Sequence, residues 1–276
     1  MDNLENILKE VMVVVKKAGE AILDYYEKGY KIKKKANQSP VTEVDLAAEK
    51  IILAGLDKYG YGILSEESRD DKSRLNKKRV WLIDPLDGTC DFIKKTGEFT
   101  VMVGLVEKSR DGKWRPVLGV VYKPVGDELY YAMRPAGAFL LKRGRKRRLK
   151  VSSRRGRDIK IVSSRFHQSR LEKELAHTLG IKEMITCGSA GLKISLIAAG
   201  MADLNVNPSP FSYEWDIAAA DIILRQAGGR LTDTRGREFT YNKPDPQNKA
   251  GYVATNGKIH QSVIRKLDLL AERGKM

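Results

Sequence analysis

Carboxylates gather in this chain where its apolar runs stop. In WLIDPLDGTCDF, residues 81–92, a buried-looking run leads into Asp84, and Asp87 and Asp91 follow closely. Three more clusters stand at the ends of expected elements: Glu43 with Asp45, Glu66 with Glu67, and Asp216. A carboxylate that closes a buried strand, with a second one three residues on, needs a counterion, because an unpaired buried charge is costly. No His or Cys ligand set stands beside these acids. Oxygen donors alone suit a hard divalent cation such as Mg²⁺. Taken singly, each acid has a plainer reading: Thr42, Asp45 or Asp216 serves equally well as a helix cap, and the rest as solvated turns. Asp84 resists that reading, since Val80, Trp81, Leu82 and Ile83 run straight into it.

The elements that must position these acids follow from periodicity. Leu4, Ile7, Leu8, Val11, Val15, Ala18, Ile22 and Leu23 recur at helical spacing, which predicts an amphipathic helix over about residues 3–27. A second helix is expected after Pro40 and Thr42, with Glu43 and Asp45 in its first turn and Gly60 beyond its end. YGILSEES and RVWLID read as strands that end in acids. FTVMVGLVEK and PVLGVVYKP read as an antiparallel pair about the turn SRDGKW, and ELYYAMRPAGAFLLK continues the sheet with a turn at Gly137. Beyond residue 157 strands and helices alternate, and EWDIAAADIILRQAGG is the clearest helix, opened near Asp216 and closed by Gly228 and Gly229. A strand-rich first half and an alternating second half predict two α/β parts. Residues 1–145 would carry most of the acids and residues 146–276 would supply Asp216.

Composition narrows the classes. The 276 residues suffice for a sizeable core, and 42% hydrophobic with 31% charged residues describes a globular chain. No stretch approaches the ~18 apolar residues of a membrane helix, so no membrane partner is expected. The first residues carry acids where a signal peptide would be basic, and two cysteines, Cys90 and Cys187, are too few for a disulfide scaffold. A reducing cytoplasm is the expectation. The formal charge of +16 asks for an anionic partner, and ten of the sixteen residues 142–157 are Lys or Arg. That segment lacks interleaved aromatics or a finger pattern, so a solvated loop is expected there rather than a nucleic-acid site. A small phosphorylated metabolite is the expected partner.

The acids fall into motifs that resemble a known family. IDPLDGTCDF at 83–92 and WDIAAADIILRQAGG at 215–229 are similar to the paired signatures of the inositol monophosphatase superfamily, lithium-sensitive Mg²⁺-dependent phosphomonoesterases. SPVTEVD at 39–45 and LSEES at 64–68 match two further segments in the same order, and the likeness runs over nearly the whole chain. The resemblance implies a layered α-β-α-β-α sandwich of the inositol monophosphatase and fructose-1,6-bisphosphatase type. It implies that Glu66, Asp84 and the Leu86 carbonyl hold one Mg²⁺, with Asp84 bridging, and that Asp87 and Asp216 complete a second site. A third ion near Asp45 and inhibition by Li⁺ are also implied. Gly88 and Thr89 would meet the phosphate through backbone N–H groups, and Thr89 with Asp45 would help deprotonate the attacking water. Asp91 receives no role.

Within the superfamily, FIKKTGEFTVMVGLV, VLGVVYKPVGDELYYA and IVSSRFHQSRLEKEL lean towards the 3'(2'),5'-bisphosphate nucleotidases. That likeness implies 3'-phosphoadenosine 5'-phosphate as substrate, with Ser189 bordering it, Lys193 meeting its second phosphate and His167 against the adenine. On spacing alone, His167 reads as a surface or packing residue, and Lys193 serves equally well as a solvated side chain. Asn207 departs from both branches: the nucleotidases carry arginine there and the inositol enzymes tend to carry glutamate. Inositol 1-phosphate and fructose 1,6-bisphosphate remain alternatives. The reading of another class, a polyanion-binding protein with a degenerate site, is opposed by the presence of every expected ligand. The family includes monomers and dimers, so a homodimer is admitted.

Overall fold

The stripe that predicts the first helix buries Ile7, Val11, Val15, Ala18 and Ile22 along α1 (Leu4–Lys28), whose cap is the Asn3 side chain. The structure, a computed structural model, describes residues 3–30, 32–34 and 40–273, so Ser39 and the Thr42 side chain, both in the SPVTEVD motif, lie outside the described residues. After α1 come β1 (Ile32–Lys34), β2 (Pro40–Thr42), α2 (Glu43–Leu56), β3 (Gly62–Ser65), β4 (Arg79–Asp87), α3 (Thr89–Ile93) and β5 (Thr100–Lys108). Then follow β6 (Trp114–Lys123), β7 (Glu128–Met133), β8 (Gly137–Lys142), β9 (Arg145–Arg148), β10 (Lys160–Ser164), α4 (Arg170–Thr178) and β11 (Glu183–Cys187). The chain closes with α5 (Ala190–Ala198), β12 (Leu204–Asn207), α6 (Ala218–Gln226), β13 (Arg230–Thr232), β14 (Tyr252–Thr255) and α7 (His260–Arg273).

These elements stack in five layers, the expected α-β-α-β-α order. Helices α1 and α2 pack on one face of a seven-stranded sheet ordered β3-β4-β5-β6-β7-β8-β9. Helices α5 and α6 fill the space between that sheet and a five-stranded one ordered β11-β10-β12-β14-β13. Helices α4 and α7 cover the far face. The first sheet is antiparallel except for the β3–β4 pair, and in the second β10 runs parallel to β11 and β12 while β14 runs antiparallel to both its neighbours. No described helix is long and apolar enough to cross a membrane.

Close approach brings α6 to the first sheet. A Cβ at Gly119 on β6 would stand 2.3 Å from the Ala219 carbonyl oxygen, so only glycine lets the helix lie there. Buried Ala218, Ala219 and Ala220 make the helix face flat enough to match. The element before α6, with Asp216, is thereby carried to the end of β4 and β5.

Two features differ from expectation. Part of the basic segment is a strand: β9 pairs with β8 from Lys142↔Arg145 to Phe139↔Arg148, and all four of its side chains are exposed. Four cations on the outer strand of a sheet discourage pairing with another chain, and that is a role a loop reading overlooks. The short helix α3 also went unforeseen, because five residues carry no readable period.

Candidate active site

A register irregularity builds the site. β4 pairs Asp84 with Met102 and Asp87 with Thr100, so three steps along β4 answer two along β5. In a regular strand, residues three apart point to opposite faces. The extra residue, at Pro85-Leu86, turns Asp87 onto the same face as Asp84. The position tolerates Pro85 because residues 85 and 86 have no register partner on β5, so no ladder N–H is required there. That face looks towards α5 and α6, where Asp216 waits. On the other side of β4, the chain leaving β3 turns so that Glu66 N–H donates to Ile83 O at 3.2 Å, which sets Glu66 beside Asp84.

The electrostatics record the convergence. Burial pushes the Asp84 carboxyl well above the usual range, and the charges of Glu66, Asp87 and Asp216 push it further, against one hydrogen bond from the Leu86 N–H. Asp216 is raised by burial first and then by Glu66 and Asp87, against the Tyr213 N–H at 2.8 Å. Among the described residues no three His, Cys, Asp or Glu side chains form a closed ligand group. Asp84, Asp87 and Asp216 each accept from protein donors instead. The donors on offer are carboxylates and the Leu86 carbonyl, all hard oxygens around mutually repelling charges, and that set fits Mg²⁺.

Asp87 is held by three donors from the α5 side. The Ser189 hydroxyl donates to its Oδ2 at 2.5 Å, and the Gly191 and Ala190 N–H groups donate at 2.8 and 3.1 Å. The amino end of α5 therefore grips this acid, and its free N–H groups and dipole favour the negative charge. Ser189 is also the cap of α5, accepting from Leu192 N–H at 3.0 Å. Gly88 lies at φ +95°, and a Cβ there would stand 3.1 Å from the Glu98 carbonyl oxygen and 3.2 Å from Ser189 N. Any side chain would be strained at that φ. Thr89 follows, and its hydroxyl donates to Leu86 O at 3.2 Å. Asp45 is buried in the first turn of α2.

The expected recognition residues are placed unequally. Ser189 is buried and spends its hydroxyl on Asp87 and the cap. Lys193 is buried too, and its ammonium donates to Gly188 O at 2.6 Å, with Asp91 and Glu172 in electrostatic reach. His167 is exposed on the loop after β10, its backbone N–H on Ser164 Oγ. Asn207 bends its own chain by accepting from Ser209 N–H at 3.0 Å.

The sequence pattern of the inositol monophosphatase family matches residues 3–270. The chain belongs to that family. Its members are phosphatases, and the expectation of a phosphoric monoester hydrolase holds. A 3'(2'),5'-bisphosphate nucleotidase CysQ of Salmonella typhimurium is 36% identical over 254 residues, 90% of this chain and 99% of that one. The protein of that name from Escherichia coli K12 is 35% identical over 240 residues, 85% of this chain and 94% of the other. Among solved structures, CysQ from Bacteroides thetaiotaomicron superposes with a TM-score of 0.78 at 31% identity, covering 92% of this chain and 99% of that one. An inositol monophosphatase from Thermotoga maritima gives 0.80 at 26% identity over 99% of both chains.

The fold of this family member also brings in residues that the motifs do not reveal. Glu98 accepts from the Gly188 N–H at 2.9 Å and from Arg165 at 2.7 Å, tying the second half to the turn beside Asp87. Asp91 is buried and accepts from Thr96 Oγ1 at 2.8 Å with Arg165 at 3.6 Å, so the acid without a role sits at the same junction. Tyr252 is buried opposite Asn207 in the β12–β14 ladder, its hydroxyl proton held by burial and by the charges of Asp87 and Asp216. Neither Tyr252 nor Glu98 is singled out by the acid motifs of the sequence.

Proposed function

We propose that the protein hydrolyses a phosphomonoester of a small bisphosphorylated nucleotide, 3'-phosphoadenosine 5'-phosphate, to AMP and phosphate with Mg²⁺ as cofactor. The observation that carries the chemistry is the irregularity in β4, which turns Asp87 and Asp84 onto one face opposite Asp216. The nucleotidase names of relatives that match most of the chain support the substrate. Glu66, Asp84 and Leu86 O would hold one ion and Asp87 and Asp216 a second, with Asp45 near a third. When bound, Mg²⁺ supplies positive charge for the phosphate oxygens and acidifies water close to them. Gly88 and Thr89 offer backbone N–H groups to the phosphate. Thr89 Oγ1 orients the attacking water, and Asp45 is the destination of its proton. Phosphate transfers to water without a covalent enzyme intermediate. Arg165, its side chain 35% exposed while it pairs with Glu98 at 2.7 Å, is our choice to meet the second phosphate, with Lys193 buried nearby. His167, on the same exposed loop, lies against the base.

Phosphate release from 3'-phosphoadenosine 5'-phosphate, inositol 1-phosphate and fructose 1,6-bisphosphate at equal concentration tests the reading. The nucleotide is expected to lead by more than about tenfold, roughly 1.4 kcal/mol in transition-state binding. A lead of that size for either other ester would overturn the substrate. Asp87→Asn and Asp216→Asn should each bring release near background with the circular dichroism unchanged, and millimolar Li⁺ should inhibit. Full activity in EDTA would overturn the cofactor.

A further inference from the structure

Cross-strand register places the cations of the first sheet in a row. Lys123 on β6 faces Glu128 on β7, Glu128 faces Lys142 on β8, and Lys142 faces Arg145 on β9. Directly opposed residues share a face, so four side chains from four strands line up. The next row on the same face is Val121, Tyr130, Leu140 and Arg147. Glu128 answers the two lysines, at 3.0 Å from Lys142 and 3.5 Å from Lys123. Arg145 and Arg147 have no carboxylate within 4.0 Å among the described residues. Alternation matters here, because the other two cations of β9 leave by the opposite face. There Lys146 lies 4.2 Å above the Phe139 ring, and Arg148 lies against Gly137. Shielding the sheet edge would be satisfied by any exposed charge. It does not account for two unanswered guanidinium groups on one face over a concave surface.

That surface is a groove of about 920 Å³ between the β6–β9 end of the first sheet and the α5–β11 wall of the second. Its sheet wall carries Lys123, Lys142, Arg143, Arg145 and Arg147, and its opposite wall carries Ile185, Leu192, Leu196 and Met201. Met201 is 54% exposed, so the apolar wall is open to a ligand. The acids in the groove are Glu128, already shared by two lysines, and Glu98, paired with Arg165 at 2.7 Å. None of Glu66, Asp84, Asp87 or Asp216 lines it.

We propose that this groove is a second binding site, separate from the acid cluster, for an amphiphilic polyphosphate of the nucleoside triphosphate class. Its phosphates lie on Arg145, Arg147 and Lys142, where guanidinium forks can each hold two oxygens. Its base lies on Leu196 and Met201. The proposal goes beyond the hydrolysis assigned to the acid cluster and does not depend on it.

Calorimetric titration of the full chain with a non-hydrolysable ATP analogue, in EDTA and low salt, tests it. Saturable binding is expected, weakening as salt rises. The double variant Arg145→Ser/Arg147→Ser should bind at least tenfold more weakly with an unchanged melting temperature, since both side chains are exposed. Asp87→Asn should bind as the wild type does. Met201→Asp should weaken the nucleotide more than it weakens tripolyphosphate. Absence of saturation, equal affinity in the double variant, or loss of binding in Asp87→Asn overturns the site. Equal weakening of both ligands by Met201→Asp overturns the two-wall assignment. A dimer that becomes a monomer in the double variant makes this face a contact between copies, and that also overturns it.

Discussion

Lys193 is buried at 7% exposure, with Nζ 2.6 Å from Gly188 O and the carboxyls of Asp91 and Glu172 in electrostatic reach. Burial holds both of those carboxyls above their ordinary range, and the lysine is among the charges that pull them back. Replacing Lys193 by methionine keeps most of the volume and removes the cation. The variant is expected to lose on the order of 3 kcal/mol, as when one partner of a buried charge cluster is deleted. Denaturant unfolding reads that loss. A variant as stable as the wild type but with a raised KM would instead make Lys193 a direct phosphate ligand. LKIS in a helical stretch cannot distinguish these outcomes, because burial depends on which loop folds over the side chain.

At the scale of elements, α5 matters through its amino end. Ser189 caps the helix and donates to Asp87, so one hydroxyl serves both the secondary structure and the acid cluster. Ser189→Ala should cost about 1 kcal/mol as a lost cap. It should also raise the Mg²⁺ concentration needed for half-maximal phosphate release, because Asp87 loses its shortest bond. A metal titration of activity checks this, and threonine in place of alanine should restore most of both properties. Unchanged metal dependence in Ser189→Ala would confine Ser189 to its cap. Asp84 and Asp87 were legible in the sequence as candidate ligands. Their shared face was not. Spacing three apart on a strand argues for opposite faces, and only the pairing of β4 with β5 reveals the extra residue between them.

Across the whole molecule, stability should fall on mild acidification through His260. This ring is buried between β13, β14 and α7, with Nε2 2.9 Å from Thr232 Oγ1 and Nδ1 3.0 Å from Thr255 Oγ1. Burial lowers its pKa from 6.5 to about 4, helped by the charges of Arg230 and Arg225 and opposed by Glu238. The folded state thus keeps the ring neutral where the unfolded chain would protonate it. Its contribution is fully present above pH 6.5 and is lost progressively as pH falls towards 4, up to roughly 3 kcal/mol. Unfolding free energies of the wild type and His260→Gln, compared at pH 7 and pH 4.5, should converge at the lower pH. A constant difference between them would remove His260 as the cause.

Local patterns determined much of this protein. The 3.6-residue stripe of α1, the apolar run into Asp84 and the glycine-closed helix after Asp216 are properties of contiguous residues, and they predicted those elements, while the layered order and the grouping of the acids followed from the family resemblance. Tertiary structure alone decided which face Asp87 takes, that Ser189 and Lys193 turn inward, that Glu98 and Tyr252 reach the site, and that Arg145 and Arg147 rise together over a groove. Each of these depends on a register or a close approach between segments distant in the chain. A one-residue slip in such a register moves every side chain to the other face, and no local period encodes it.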